Sequence, residues 1–321
     1  MAIPFLERFT IQRYRALNDS FGNPFVFALT DRGFFSEVNN LMNAMAYGLV
    51  LRRRLIVDQT AFGGLTWTDF FCANLPSASP WPPVDPEWVI LGVKSRHFWT
   101  IRGQLSKMWE SAERIDVAPL GLRNVNIFGL KRSIANLFCA PRADSRSIWN
   151  QFGTPRFDAM AALSLRDFEL RPLKFVSIHV RRGDKTEGYI GTSGKVIIEG
   201  EATPLSVYLD LIHKYARGLA LFVMTDNYAI VNELRSIAPE FRIISLCPVH
   251  QNGYRHREFR QLAPEHRRAA IKRLLTEVQV ASQSAIFIGG FKSNFARFVV
   301  NVHRNPANCF SVDEWKQWTP K

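Results

Sequence analysis

The sequence predicts an α/β fold of two Rossmann-like domains facing each other across a cleft. Three observations predict it. Apolar, β-branched runs alternate with amphipathic stretches through the second half. A strand, a Gly-containing loop, a helix and a second strand open the first half, which is the βαβ signature of a parallel sheet. The chain has 321 residues, 47% hydrophobic and 21% charged, enough for two cores of ordinary size. The division falls at residues 1–167 and 168–321, with the last helix free to pack back on the first domain.

In order, "PFVFALT" (24–30) reads as a buried strand, "DRGFFSEVNN" as a turn, "EVNNLMNAMAYGLVLRRR" as a helix and "RLIVD" (54–58) as the next strand. The Pro- and Trp-rich "LPSASPWPPVDPEW" is a loop, and "WVILGV" a further strand. Residues 95–167 read as mainly helical, with "AALSLRDFELRPL" leading into the second half. There "KFVSIHV", "ALFVMTD", "FRIISL" and "AIFIGG" are strands. The helices between and after them are "PLSVYLDLIHKYARGL", "NYAIVNELRSIAP", "AAIKRLLTEVQVASQS" and "SNFARFVVNVHR".

Composition excludes several classes. No apolar run reaches the ~18 residues a membrane-spanning helix needs. The opening "MAIPFLERFTIQRYR" lacks a signal-peptide core, so a cytoplasmic protein is expected. Cys72, Cys139, Cys247 and Cys309 are scattered, which signals neither a zinc site nor a disulfide framework; reduced, mostly buried thiols are expected. The net charge of +13 favours anionic partners: nucleic acid, an anionic membrane face or phosphorylated ligands. Part of it lies in "GYRHREFRQLAPEHRRAAIKR" (253–273), which is either a solvated helical face or an electrostatic patch. Nucleic-acid binding would need basic residues interleaved with exposed aromatics, yet the densest basic cluster ends a buried strand.

Ligands of open α/β sheets bind beyond the carboxyl ends of the strands. Three polar clusters fall there: His179, Arg181, Arg182, Asp184 and Lys185; Thr225, Asp226 and Asn227; and Gly289, Gly290, Phe291, Lys292, Ser293 and Asn294. Along a strand His179 and Arg181 share one face and Arg182 takes the other. Two arginines and a lysine so close together repel one another unless a dianion or carboxylates sit among them, and guanidinium forks match phosphate oxygens. A salt-bridge cluster with Asp184 and Glu187 would satisfy them as well. The tripeptide Arg182-Gly183-Asp184 is a poor adhesion signal at a strand terminus. A Gly-Gly turn with Ser293 and Asn294 at a helix start suits a phosphate, although either side chain can instead cap the helix.

These residues resemble a known family. "SIHVRRGDK" is similar to the first motif, H-x-R-R-x-D at a strand end, of the α1,6/α1,2/protein-O-fucosyltransferase superfamily. "LFVMTDN" and "AIFIGGFKSNFARF" are similar to its second and third motifs, in the same order. "DRGFFSEVNNLMNAMAYGL" is similar to its N-terminal Gly-rich loop and helix. The nearest flavour is the core α1,6- and the rhizobial nodulation fucosyltransferases. The resemblance implies a GT-B-like fold and an inverting glycosyltransferase that uses GDP-β-L-fucose as donor, a glycan or glycolipid hydroxyl as acceptor, and no metal. It implies that Arg181 binds the donor β-phosphate, Arg182 shapes that pocket, and His179 and Glu277 read the base. Asp226 and Gly290 line the nucleotide-sugar site, and Ser293 with Asn294 contacts the pyrophosphate. Asp184 and Lys185 position or polarise the fucose and the leaving phosphate.

Some alternatives stay open at this level. The family's acid just beyond the D-K pair has no aligned equivalent, and "GTSGKVIIEGEA" reads as an insertion. Asp184, Glu187 or the phosphate itself is left as proton acceptor. Lys292 either assists phosphate binding or points to solvent. Gly33, Phe34, Asn39 and Asn40, with Glu37, either build the helix start or reach donor or acceptor. Phe34 and Phe35 are core or acceptor-platform residues, and Trp81 and Trp88 stack on sugar or pack on their own domain. Peripheral association with an anionic membrane is expected, nucleic acid is not.

Overall fold

The computed structural model describes residues 10–71, 76, 89–91, 114–117, 122–138, 175–190, 196–197, 200–215 and 219–313. The chain divides into two compact units, Met1–Arg142 with Pro264–Arg268, and Ala143–Ala263 with Ala269–Lys321.

In the first unit, α1 (Ile11–Ser20) is capped by the Thr10 hydroxyl. Its buried Asn18 accepts from Leu55 N at 2.8 Å and donates to Leu55 O at 3.0 Å, fixing α1 on the strand that contains Leu55. Strand β1 (Pro24–Ala28) leads to α2 (Phe34–Leu51), then β2 (Arg54–Asp58) and β3 (Val89–Leu91); the three strands form a parallel sheet in the order β2-β1-β3. A hairpin of β4 (Arg114–Val117) and β5 (Leu122–Asn126) precedes α3 (Ile127–Phe138), in a region expected to be mainly helical. Strand-forming Arg-Ile-Asp-Val and Leu-Arg-Asn-Val carry the β-branched residues that favour pairing there. Helix α2 also begins earlier than expected, because Gly33 O already accepts Ser36 N and Glu37 N.

The second unit begins with β6 (Phe175–Val180), the one-turn α4 (Asp184–Glu187), and the short pair β7 (Tyr189–Ile190) and β8 (Val196–Ile197). Then follow α5 (Leu205–Tyr215), β9 (Ala220–Thr225), α6 (Tyr228–Ile237) and β10 (Ile243–Ile244). The basic segment folds as α7 (His256–Gln261) and the start of α8 (Pro264–Ser282), before β11 (Ile286–Gly289), α9 (Asn294–Val302) and β12 (Cys309–Ser311).

All five strands of this sheet are parallel, in the order β10-β9-β6-β11-β12. The chain runs outward from β6 to β10, returns, and runs outward the other way through β11. That is the doubly wound α/β plan, and its switch point lies between β6 and β11. Strand β6 is buried along its whole length, as a central parallel strand must be. Val176, Ile178 and Val180 pack with Leu205, Tyr208 and Ile212 of α5 and with Ile230, Val231 and Leu234 of α6. Ser177 and His179 alternate onto the opposite face, where His179 stacks on Phe295 of α9.

Among the described residues no helix is long and apolar enough to cross a membrane. Cys247 is a buried thiol and Cys309 is half-buried; Cys72, Cys139, Trp81, Trp88 and the stretch "AALSLRDFELRPL" lie outside the described residues.

Candidate nucleotide-sugar site

The register of the sheet gathers the three polar clusters. Val180 pairs with Thr225, and His179 lies opposite Gly289, so the segments after β9, β6 and β11 leave the sheet side by side at its carboxyl edge. This is the edge and the switch point where α/β sheets take ligands.

Arg181 is held rather than free. Its Nη2 donates to Asp184 Oδ1 at 2.8 Å, its Nε lies 3.2 Å from Asp226 Oδ2, and its guanidinium carbon sits 5.1 Å from the centre of the Tyr254 ring. Arg182 serves the backbone instead: Nη1 donates to Arg181 O and Nη2 to Thr203 O. The carboxylates of Asp226 and Asp184 are both engaged through both oxygens. Asp226 Oδ1 accepts Arg182 N at 2.7 Å, and Oδ2 accepts Tyr254 N at 3.2 Å. Asp184 Oδ2 accepts His256 N at 3.0 Å. Burial pushes the Asp226 carboxyl upward, opposed by Arg181 and the N–H donors around it.

Gly183, the centre of the RGD tripeptide, has φ +74° and lies against the main chain of Tyr254, whose carbonyl accepts Asp184 N at 3.0 Å. The tripeptide is therefore clamped between chain segments and does not protrude. Lys185 and Glu187 lie on α4, and their side chains are outside the described part of the structure.

Of the residues expected to read the nucleotide, His179 Nδ1 and Glu277 Oε1 are among the buried side-chain atoms that have no hydrogen-bond partner. Burial, aided by Arg181, drives His179 down to about 3, so its imidazole is neutral at physiological pH. Glu277 is 2% exposed, and burial pushes it up to about 7, with Asp226 adding to the rise and Arg273 opposing it. A buried donor or acceptor without a partner is costly.

The turn after β11 is braced by the segment beyond β12: the N–H groups of Phe291 and Lys292 donate to Asp313 at 3.0 and 2.9 Å, and a side chain at Gly290 would meet Asp313 Oδ2 at 3.1 Å. Asn294 accepts from Arg297 Nη2 at 2.7 Å. Ser293 makes no side-chain capping bond to α9, so the capping alternative does not use its hydroxyl, and Lys292 is exposed.

In the first unit the N-terminal loop is a structural element. Glu37 Oε2 accepts Thr30 N at 2.8 Å and closes the loop around Gly33. Asn39 and Asn40 lie past the first turn of α2, too far along to cap it, which corrects that alternative. Phe34 is buried in an aromatic cluster, edge-on to Phe35 and Phe70 and stacked near Phe62 and Phe71. It is a core residue.

Sequence reasoning missed Tyr254, His256 and Asp313. Tyr254 and His256 act partly through main-chain groups, which carry no residue signature. The signal available was Gly253, whose φ of +77° marks a turn that brings the segment back to the sheet.

The sequence matches no known protein-family pattern and no curated protein. Among solved structures the chain is similar to NodZ alpha-1,6-fucosyltransferase soaked with GDP-fucose, at 13% identity over 87% of this chain and 93% of that one, TM-score 0.46. It is similar also to fucosyltransferase NodZ from Bradyrhizobium, at 12% identity over 87% and 93%, TM-score 0.45. A third is POFUT1 in complex with GDP, at 13% identity over 90% and 98%, TM-score 0.42.

Proposed function

We propose that the chain is an inverting glycosyltransferase that moves L-fucose from GDP-β-L-fucose to a hydroxyl of a glycan or glycolipid. One observation carries the reading. The three stretches that resemble fucosyltransferase motifs are far apart in sequence, yet they end adjacent strands at the switch point of a doubly wound sheet.

In this reading the acceptor oxygen attacks the anomeric carbon as the bond to the β-phosphate oxygen breaks. The electron pair leaves on the phosphate, where the Arg181 cation neutralises the growing charge. Nη1 is the guanidinium nitrogen not used by Asp184, Asp226 or the Arg182 carbonyl. Arginine charge of this kind can take the place of a divalent ion. Glu277 Oε1, when ionised, is an acceptor for the adjacent N–H groups of a guanine edge, and neutral His179 flanks the nucleotide. Asp184 has both oxygens committed and acts as a support for Arg181, which leaves Glu187 or the departing phosphate to take the acceptor's proton. Ser293 supplies a hydroxyl for the pyrophosphate, while Arg182 and Asp226 shape the pocket behind it.

Calorimetric titration with GDP and UDP tests the donor. Micromolar GDP binding that is lost in Arg181→Ala is the expected result, and preference for UDP overturns the fucose assignment. Transfer from GDP-fucose to an acceptor panel, with and without chelator, then reads both the sugar and the metal independence. We further propose a cytoplasmic site of action at an anionic membrane face, supported by the exposed Arg257 and Arg260 on α7. Failure to bind anionic liposomes at low salt removes that part.

A further inference from the structure

Building on the phosphate-clamp reading, we propose that Tyr254 is a positioning residue that fixes Arg181 for the phosphate. Arg181 is the cation on which that reading depends, and a long guanidinium side chain left to itself samples many rotamers. Three contacts restrict it here, and Tyr254 takes part in all of them. Its ring lies under the guanidinium at 5.1 Å. Its N–H holds Asp226 Oδ2, the oxygen that faces Arg181 Nε. Its carbonyl accepts Asp184 N, and two residues on His256 N holds Asp184 Oδ2, which turns Oδ1 to Arg181 Nη2.

The ring itself is steadied from its far end, where the phenol oxygen lies 3.1 Å from His256 Nδ1 and the ring packs at 5.4 Å from Phe259. Burial raises the phenol's pKa, so Tyr254 stays neutral and adds no charge beside the clamp. The backbone contacts survive any side-chain change at this position, and the ring contact does not. That separates the two contributions experimentally.

The test compares the wild type with Tyr254→Phe and Tyr254→Leu. Cation–π contacts at partly desolvated sites are worth enough that losing the ring should weaken GDP binding by about tenfold. Tyr254→Phe keeps the face of the ring and should stay within about twofold of wild type. Guanosine, which has no phosphate, should bind all three proteins alike. Loss of GDP and guanosine binding together in Tyr254→Leu, or no loss of either, overturns the positioning role. A readout that needs no ligand runs beside it: the Arg181 Nε–H signal in ¹⁵N-arginine NMR should be protected in wild type and Tyr254→Phe and broadened in Tyr254→Leu. If the wild type binds no GDP while this pattern holds, the nucleotide-sugar reading fails and the fixing of Arg181 by Tyr254 stands. If all three signals are alike, Tyr254 does not fix Arg181.

Discussion

Gly183 and Tyr254 meet with no space between them: a β-carbon on Gly183 would come within 2.5 Å of both the nitrogen and the oxygen of Tyr254. The glycine also has φ +74° and ψ −147°, a conformation essentially reserved for glycine. Gly183→Ala should therefore cost on the order of 3 kcal/mol, from strain and from parting the two segments. Denaturant unfolding reads the loss, and GDP titration should show binding gone with it. A variant of wild-type stability would mean that the segments are not in contact.

Glu277 gives the protein a pH dependence of defined sign. Its folded pKa, pushed up to about 7, lies above the ordinary value of 4.5, so the native state holds this proton more tightly than the unfolded chain does. The stabilisation is complete below pH 4.5 and is lost as pH rises through about 7. The full swing is on the order of 3 kcal/mol. Glu277→Gln should flatten the stability profile across that window and gain stability at pH 8. Ligand binding has the opposite slope: an ionised Glu277 is needed to accept from guanine, so GDP affinity should rise with pH through neutrality in wild type only.

At Glu37 the same burial meets a single hydrogen bond. The carboxylate is inaccessible, raised by burial, and bonded to Thr30 N. Glu37→Gln keeps an acceptor for that N–H and removes a buried charge, so it should match or exceed wild-type stability above pH 7. Glu37→Ala orphans Thr30 N and should cost about 1–3 kcal/mol. Equal melting temperatures for the two variants would contradict this.

Asp313 ties the turn after β11 to the strand at the sheet edge. Asp313→Ala removes the acceptor for two main-chain N–H groups, Phe291 and Lys292. Amide exchange at those two positions should accelerate, and stability should drop by roughly 1–3 kcal/mol. Unchanged exchange would show that the carboxylate is not their partner in solution.

How far the sequence reveals the site depends on which atoms make it. Strands β6, β9 and β11 were legible because apolar, β-branched runs end abruptly in polar residues. Arg181 and Asp184 were legible because side-chain chemistry at a strand end has few uses. The Asp226 carboxylate was legible as a polar residue, but its role was not: three donors converge on it from Arg181, Arg182 and Tyr254, and that convergence is tertiary. Strand β10 was legible through "FRIISL" although only two of its residues pair, whereas β12, with three residues, is too short for a period-2 pattern to register. The hairpin β4–β5 was lost for a similar reason, and Phe34 was left open because an aromatic beside a glycine loop looks the same whether it faces a ligand or a core.

The position of β6 in its sheet has a consequence for biosynthesis. This strand is buried across its length and is flanked by β9 on one side and β11 on the other. During translation β9 follows it soon, but β11 emerges only after α8 is complete. Until then the second edge of β6 offers unsatisfied N–H and C=O groups beside buried-type side chains, which is the template that neighbouring nascent chains pair with. Fragments that stop before Ile286 should precipitate, and slow synthesis through α8 should raise the demand for chaperones.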